Sequence, residues 1–359
     1  MSERLTGDPG SNDPPSLNLT RSPVEQPALV VIDLDDPRST ALERLPVAFA
    51  GVVVGLSRTA STGSRPDVSA GVDFVLVPGE VTRVGPRHHA VWVAAADIDA
   101  ELSRVDDALK RSPIAAVTLM QVLRAGFAAS LERDLLVESL AYSALQAGVE
   151  HLSWLGGRPT RRDHGEQIGP PVMLERDGGM LTITLNRPQV RNAFDVGVRD
   201  GLQEALELVA LDPSIEHAKV VGAGSDFCSG GDLDEFGTGP GPTASHLIRT
   251  TCSPALWLSR VASRVTVEIH GACVGAGIEI AALAGRVVAT TDAKVRLPEV
   301  GMGLIPGAGG TASLPRRIGR HRTAWLALSG GWLDAATAFA WGLVDEVREP
   351  DLEPSALVR

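Results

Sequence analysis

Short β-branched runs broken by polar residues open the chain, and a helical rhythm replaces them near its middle. Positions 28–34 (ALVVIDL), 49–56 (FAGVVVGL), 72–77 (VDFVLV) and 90–94 (AVWVA) predict four strands. The pieces at 40–45 and 97–109 predict helices between them, so this part is read as a small α/β layer. From Ser112 the pattern is helical, with 114–123 almost wholly apolar. After Gly126, Leu131, Leu135, Leu136, Leu140, Leu145, Val149 and Leu152 recur at three-four spacing. That spacing predicts one helix over about 127–155, with its apolar stripe packed on the rest of the protein.

Breaks in the pattern divide the chain. Residues 1–26 are rich in Pro, Ser, Asp and Gly and are expected to form a disordered tail. Residues 27–156 form the N-terminal α/β and helical region. The polar stretch 157–171, with glycines and prolines near both ends, is the expected linker, and 172–359 is a second α/β segment. This segment begins with a hairpin, 172–176 and 180–185 around Asp177-Gly178-Gly179. A helix capped by Asp195 and stopped by Asp212-Pro213 follows, then a strand at 218–222. The resemblance of 111–117 to 264–269 raises the expectation that the N-terminal layer is a decayed copy of the C-terminal architecture.

The densest pattern lies at 265–310. A β-branched run leads into a glycine turn, Val274-Gly275-Ala276-Gly277, which opens an apolar helix carrying one acid, Glu279. A strand at 286–290 precedes Pro298-Glu299, and the small-residue loop 307–310 closes the stretch. A second glycine turn, Phe227-Cys228-Ser229-Gly230-Gly231-Asp232, sits upstream. Turns of this kind expose backbone N–H groups at a helix start, where positive partial charge gathers. Two such N–H groups brought together can stabilise an oxyanion. Two glutamates in a dry pocket would have their pKa values pushed apart, giving a proton donor and an acceptor. The competing structural reading pairs Glu279 with a buried arginine such as Arg286 and leaves Glu299 as an exposed turn acid. Residue pattern alone leaves both open. A dinucleotide site is disfavoured because Ile280 occupies the third glycine position of GxGxxG.

Composition narrows the classes. Of the 359 residues, 44% are hydrophobic and the mean hydropathy is +0.08, as expected for a soluble protein with a real core. A net charge of -11 argues against nucleic-acid or anionic-membrane partners. Cys228, Cys252 and Cys273 form no CxxC pair, and the histidines show no metal spacing, so no metal is expected. The N-terminus shows no apolar signal segment, and no apolar run reaches membrane-spanning length, so a cytoplasmic location is expected.

Taken together, LNRPQVRNAFD, FCSGGDLDEF, HGACVGAGIEIA, AKVRLPEVGMGLIPGAGGT and AWGLVDEV resemble the crotonase (enoyl-CoA hydratase/isomerase) superfamily, in its order and spacing, over about 172–347. The resemblance implies an α/β fold with a spiral of ββα units in the C-terminal half. It also implies an acyl-CoA thioester as ligand, no separate cofactor, and a homo-oligomer, a trimer or hexamer. By position, Gly231 and Ala276 match the oxyanion-hole residues, and Glu279 and Glu299 match the acids that activate water and protonate the α-carbon. Arg191, Ala193, Asp232, Leu233 and Asp234 match stretches that contact coenzyme A. The activity implied is addition of water to a 2-enoyl-CoA. The alternatives are another crotonase reaction (isomerase or hydrolase) on a specialised acyl-CoA, or a non-catalytic acyl-CoA-binding subunit. Ala276 stands where glycine is usual, and His270 where asparagine is common. The terminal helices that commonly close the acyl pocket have no counterpart, so the helix at 127–155 is expected to serve as the lid.

Overall fold

The computed structural model describes residues 3–4, 28–36, 44–59, 68–79, 91–126, 130–158 and 167–350. The N-terminal sheet is five-stranded, all-parallel and in sequential order: β1 (Glu3–Arg4), β2 (Ala28–Asp33), β3 (Gly51–Leu56), β4 (Phe74–Pro78) and β5 (Trp92–Ala95). β1 falls inside the expected tail, where it pairs with Val30 and Val31; the rest of 1–26 lies outside the described residues. So does most of the helix predicted at 40–45, whose described end, Arg44 and Leu45, is not helical. Both faces of this sheet are buried, as parallel sheets require. Leu29, Val31, Val52 and Val54 join the main core, and Val30, Ile32, Val53 and Val75 join a smaller second one.

Four helices follow. α1 (Ile98–Arg111) is capped by Asp97, whose carboxylate accepts from the Ala100 N–H, 2.9 Å. α2 (Pro113–Ala125) begins with proline at its first position, where a missing N–H is harmless. Residues 113–117 are thus a helix start, and the strand-like echo of 264–269 is not present. The single helix predicted over 127–155 is two in the described residues, α3 (Leu131–Gln146) and α4 (Val149–Gly156). The chain leaves helical geometry at Gly148, φ −79 and ψ 153, a residue with little helical preference. The predicted face of α3 and α4 is also corrected. Leu136, Leu140, Val149 and Leu152 are 44%, 53%, 69% and 55% exposed, whereas Glu138, Ser139 and His151 are buried.

The C-terminal half is a spiral. Its six-stranded sheet runs β14-β11-β9-β8-β7-β6, and only the β6–β7 hairpin is antiparallel. These strands are β6 (Val172–Asp177), β7 (Met180–Leu185), β8 (His217–Gly222), β9 (Val265–Ile269), β11 (Arg286–Thr290) and β14 (Glu346–Arg348). A smaller sheet holds β10 (Ala272–Val274), β12 (Lys294–Arg296) and β13 (Leu333–Asp334), in that order. The chain steps from the large sheet to the small one and back through a helix: β9, β10, α8 (Ala276–Ala281), then β11, β12, α9 (Gly310–Ser329), then β13, α10 (Ala335–Trp341) and β14. α5 (Val196–Leu211), capped by Asp195 at 2.8 Å, precedes β8. Between β8 and β9 the chain forms two further helices, α6 (Pro242–Thr251) and α7 (Pro254–Val261).

The two halves share one apolar core, which runs from Leu29 and Val52 through α1 and α2 to Val344. α9 is the common element. His321 Nδ1 donates to the Asp73 carbonyl (2.7 Å), and Arg320 donates to the Ser69 carbonyl. Beside them Arg124 and Asp73 form an ion pair at 2.5 Å, with both side chains enclosed. The described part of the expected linker, 167–171, is fastened to the hairpin: Gln167 Nε2 donates to the Asn186 carbonyl (2.7 Å) and the Asn186 N–H to that of Pro171 (2.8 Å). Among the described residues, no helix is long and apolar enough to cross a membrane.

Candidate active site

The two glycine turns lie side by side because short parallel pairings join them. The Cys228 N–H donates to the Ala272 carbonyl (3.1 Å), and the Val274 N–H donates to that of Cys228 (2.9 Å). A β-carbon on Gly230 would crowd the Val274 carbonyl oxygen at 3.3 Å, and its φ of +93 is one that side chains rarely adopt, so glycine suits this close approach. Gly231 and Ala276 both open onto a cavity of about 290 Å³. Ala276 is the first residue of α8, whose initial N–H groups have no partner inside the helix. Cys228 and Cys273 are buried beneath as small apolar side chains. Burial pushes the Cys228 thiol up to about 12, so it is held as the neutral thiol.

Glu279 and Glu299 face the same cavity. Glu279 is only 2% exposed, and its Oε2 accepts from the Ala308 N–H (2.7 Å) and the Gly310 N–H (2.9 Å). Arg286 does not meet it; that side chain is exposed and pairs with Glu346. Glu299 begins a 3₁₀ turn, Glu299–Met302, after β12, and its Oε2 is enclosed without a hydrogen-bond partner. Burial raises Glu299 to about 8, with Glu138 adding like charge and Arg296 opposing. Burial first, then Glu299 and Glu138, holds Glu279 well above the ordinary carboxylate range.

Gly275 sets the spacing of this pair. Its φ is +48, and a β-carbon there would overlap Glu299 Oε1. Gly275→Ala should therefore both strain the turn and displace the Glu299 carboxylate. We expect turnover to fall about 100-fold, since an ångström of misplacement has that effect. Steady-state kinetics beside a thermal melt would separate this from unfolding.

Sequence reasoning missed a third acid. Glu138, on α3, is 2% exposed; its Oε1 accepts from the Gly309 N–H (2.7 Å). Its Oε2 accepts from the Thr311 N–H (2.8 Å) and Thr311 Oγ1 (2.7 Å). The four successive N–H groups of 308–311, at the start of α9, thus alternate between Glu279 and Glu138. Each carboxylate meets the positive end of α9. Burial raises Glu138 to about 7 despite these bonds and the nearby Arg249. Tyr142, one turn further along α3, lies so close to Gly307 that a β-carbon there would overlap its ring. α4 supports the neighbouring turn, where His151 Nδ1 donates to the Met302 carbonyl (3.0 Å). The sequence offered one signal for this face: Glu138, Ser139, Tyr142 and Gln146 line up at helical spacing along α3, and all four line the cavity.

The residues matched to coenzyme A contacts are distributed differently. Arg191 is exposed with left-handed backbone, φ 53. Ala193 is buried, and its carbonyl accepts from Arg187, 2.6 Å. Asp232 lines the cavity but pairs with Arg187 (3.0 Å), Asp234 pairs with Arg158 (3.7 Å), and Leu233 is exposed. His270 lies off the cavity, bonded to the Gly224 carbonyl at 3.0 Å.

Comparison with known proteins identifies the family of the C-terminal half. The family model described as enoyl-CoA hydratase/isomerase matches residues 175–355, just over half of the chain. The 1,2-epoxyphenylacetyl-CoA isomerase of Escherichia coli K12 is 36% identical over 180 residues, 49% of this chain and 69% of its own. The 2,3-dehydroadipyl-CoA hydratase of the same organism is also 36% identical, over 183 residues, 50% of this chain and 70% of its own. Among solved structures, enoyl-CoA hydratase from Mycobacterium smegmatis aligns with 31% identity and a TM-score of 0.47, over 51% of this chain and 71% of that one. On the family match and these relatives, the chain belongs to the enoyl-CoA hydratase/isomerase family.

Proposed function

We propose that this protein adds water across the double bond of a 2-enoyl-CoA thioester. The observation that carries the reading is the unequal setting of two glutamates in one cavity. Glu279 receives two N–H bonds that favour its charged form, and Glu299 Oε2 receives none. Burial raises both acids; we assign the charge to Glu279, whose Oε2 accepts two N–H bonds, and the proton to Glu299. The thioester carbonyl oxygen then lies against the Gly231 and Ala276 N–H groups. Glu279 takes a proton from water, and the oxygen adds to C3 as the carbonyl becomes an enolate. Glu299 delivers its proton to C2, and the enolate collapses to the 3-hydroxyacyl thioester.

No separate cofactor enters this scheme, because coenzyme A is part of the substrate. Residues 191–193 and 232–234 are proposed to hold the coenzyme A portion, and α3 to close the acyl side of the cavity. A homo-oligomer is part of the reading, supported by the apolar face that Leu136, Leu140, Val149 and Leu152 leave exposed. One relative's name is that of an isomerase and another's that of a hydratase. Reaction in ¹⁸O-labelled water separates the two chemistries. Hydration puts the heavy oxygen on C3 of the product. A shifted double bond without label would mean isomerisation, and labelled free acid would mean thioester hydrolysis; either result sinks the hydratase assignment.

A further inference from the structure

One cation of the cavity has no task in that scheme. Arg249, on α6, lines the cavity half-buried, with its guanidinium 4.6 Å from the centre of the Tyr142 ring. It donates to Ser139 Oγ (3.1 Å), Gln146 Oε1 (3.1 Å), the Ser139 carbonyl (3.3 Å) and Ser143 Oγ. All four acceptors are neutral, and among the described residues no carboxylate pairs with it. Glu138, the acid whose charge acts on it, has both oxygens occupied by the loop at 309–311. A charge drawn out of water is disfavoured unless an opposite charge meets it. Tying α6 to α3 needs only neutral donors, and the Tyr142 ring meets the guanidinium without supplying a full opposite charge.

Its position narrows the partner. Tyr142 packs against Gly307, one residue before the N–H that holds Glu279, so the Arg249–Tyr142 pair stands beside the reacting groups. Arg191, matched to the coenzyme A stretch, is not part of this wall. The oxygens of α3 and the ring of Tyr142 hold the guanidinium still and take four of its five N–H donors, leaving one Nη1 N–H and the positive charge to meet a single carboxylate oxygen. We propose that Arg249, stacked on Tyr142, receives a free carboxylate on the acyl group, so that the preferred substrates are acyl-CoA thioesters carrying a second acid. This rests on the acyl-CoA reading of the cavity above.

Binding to saturated thioesters tests it without depending on turnover. Calorimetric titration of the full chain would compare succinyl-, glutaryl- and adipyl-CoA with butyryl-, pentanoyl- and hexanoyl-CoA. At least one carboxylated thioester should bind ~30-fold or more tightly than its length-matched neutral partner. Arg249→Met should reduce that preference to within ~3-fold, and Arg249→Lys should keep part of it. Equal binding of charged and neutral thioesters overturns the inference while leaving the acyl-CoA reading intact. If Arg249→Met weakens free coenzyme A and both thioesters alike, Arg249 serves the nucleotide phosphates and the inference is also overturned. If no thioester binds at all, the acyl-CoA reading falls, and this inference with it. Should Arg249→Met fail to fold, the wild-type comparison alone decides.

Discussion

Replacing Glu138 by leucine should remove more stability and activity together than any other single change outside the two matched acids. The carboxylate accepts three hydrogen bonds in a closed site, from the Gly309 N–H, the Thr311 N–H and Thr311 Oγ1. Leucine has similar volume but leaves these donors facing hydrocarbon, at about 1–3 kcal/mol for each unsatisfied group. We expect a loss of about 4 kcal/mol once the hydroxyl rotates elsewhere. The melting temperature should drop by about 5 °C. Glutamine is the milder probe: its carbonyl oxygen can still serve Thr311, while its NH₂ faces the Gly309 N–H as donor to donor. The loop at 308–311 that Glu138 fixes is the same loop that holds Glu279, so Glu138→Gln should lower kcat by about 10- to 100-fold. A melt and a kcat measurement on the two variants check both parts. Unchanged kcat in a folded Glu138→Gln protein would mean that α3 only covers the site.

Glutamine at Glu279 or Glu299 should each reduce hydration of a 2-enoyl-CoA by about a thousandfold, within the range of acid–base catalysis, while acyl-CoA binding changes little. The two variants differ in stability, and the sign follows from linkage. The folded-state value of Glu299 is raised to about 8, above the ordinary carboxylate value near 4.3. The folded protein therefore binds this proton more tightly than the unfolded chain. Stability falls as pH rises from about 4.3 to about 8, and this contribution is flat beyond. Glu299→Gln removes that penalty, so the variant should match wild type at pH 4 and exceed it increasingly up to pH 8, by about 7 °C in melting temperature. Glu279→Gln should show less gain, because a neutral amide oxygen accepts more weakly than the carboxylate Oε2 that takes both the Ala308 and Gly310 N–H groups. In wild type, the same ionisation of Glu299 should give kcat a descending limb near pH 8. Melting curves and rate profiles across this range measure both effects.

The C-terminal spiral and its glycine turns were legible in the sequence because their determinants are local. A β-branched run, a Gly at positive φ and an apolar helix start each occupy fewer than about ten residues. The N-terminal strands were legible for the same reason. Glu138 was not, since its partners lie 171 and 173 residues away in the chain. Nor could periodicity say which face of α3 turns inward. It located an apolar stripe and a polar one, and burial of the apolar stripe was the natural expectation. The polar stripe faces inward because the N–H groups at the start of α9 need acceptors, and Glu138 is placed to supply them. The break at Gly148 was visible only as a lone glycine inside a helical pattern, which most helices tolerate. The exposed Leu136 and Leu140 are the other side of that orientation.

We propose that the cavity between α3 and the two glycine turns hydrates an enoyl thioester. Incubating the full chain with crotonyl-CoA, and following the conjugated thioester absorbance together with product mass, tests it most directly. We predict loss of the absorbance, gain of one water in mass, and a rate in the ordinary enzymatic range of about 1–1000 s⁻¹ on a preferred acyl group. Tight binding of acyl-CoA with no turnover of crotonyl-CoA or of any longer or carboxylated 2-enoyl-CoA would contradict it, and would make this a binding subunit.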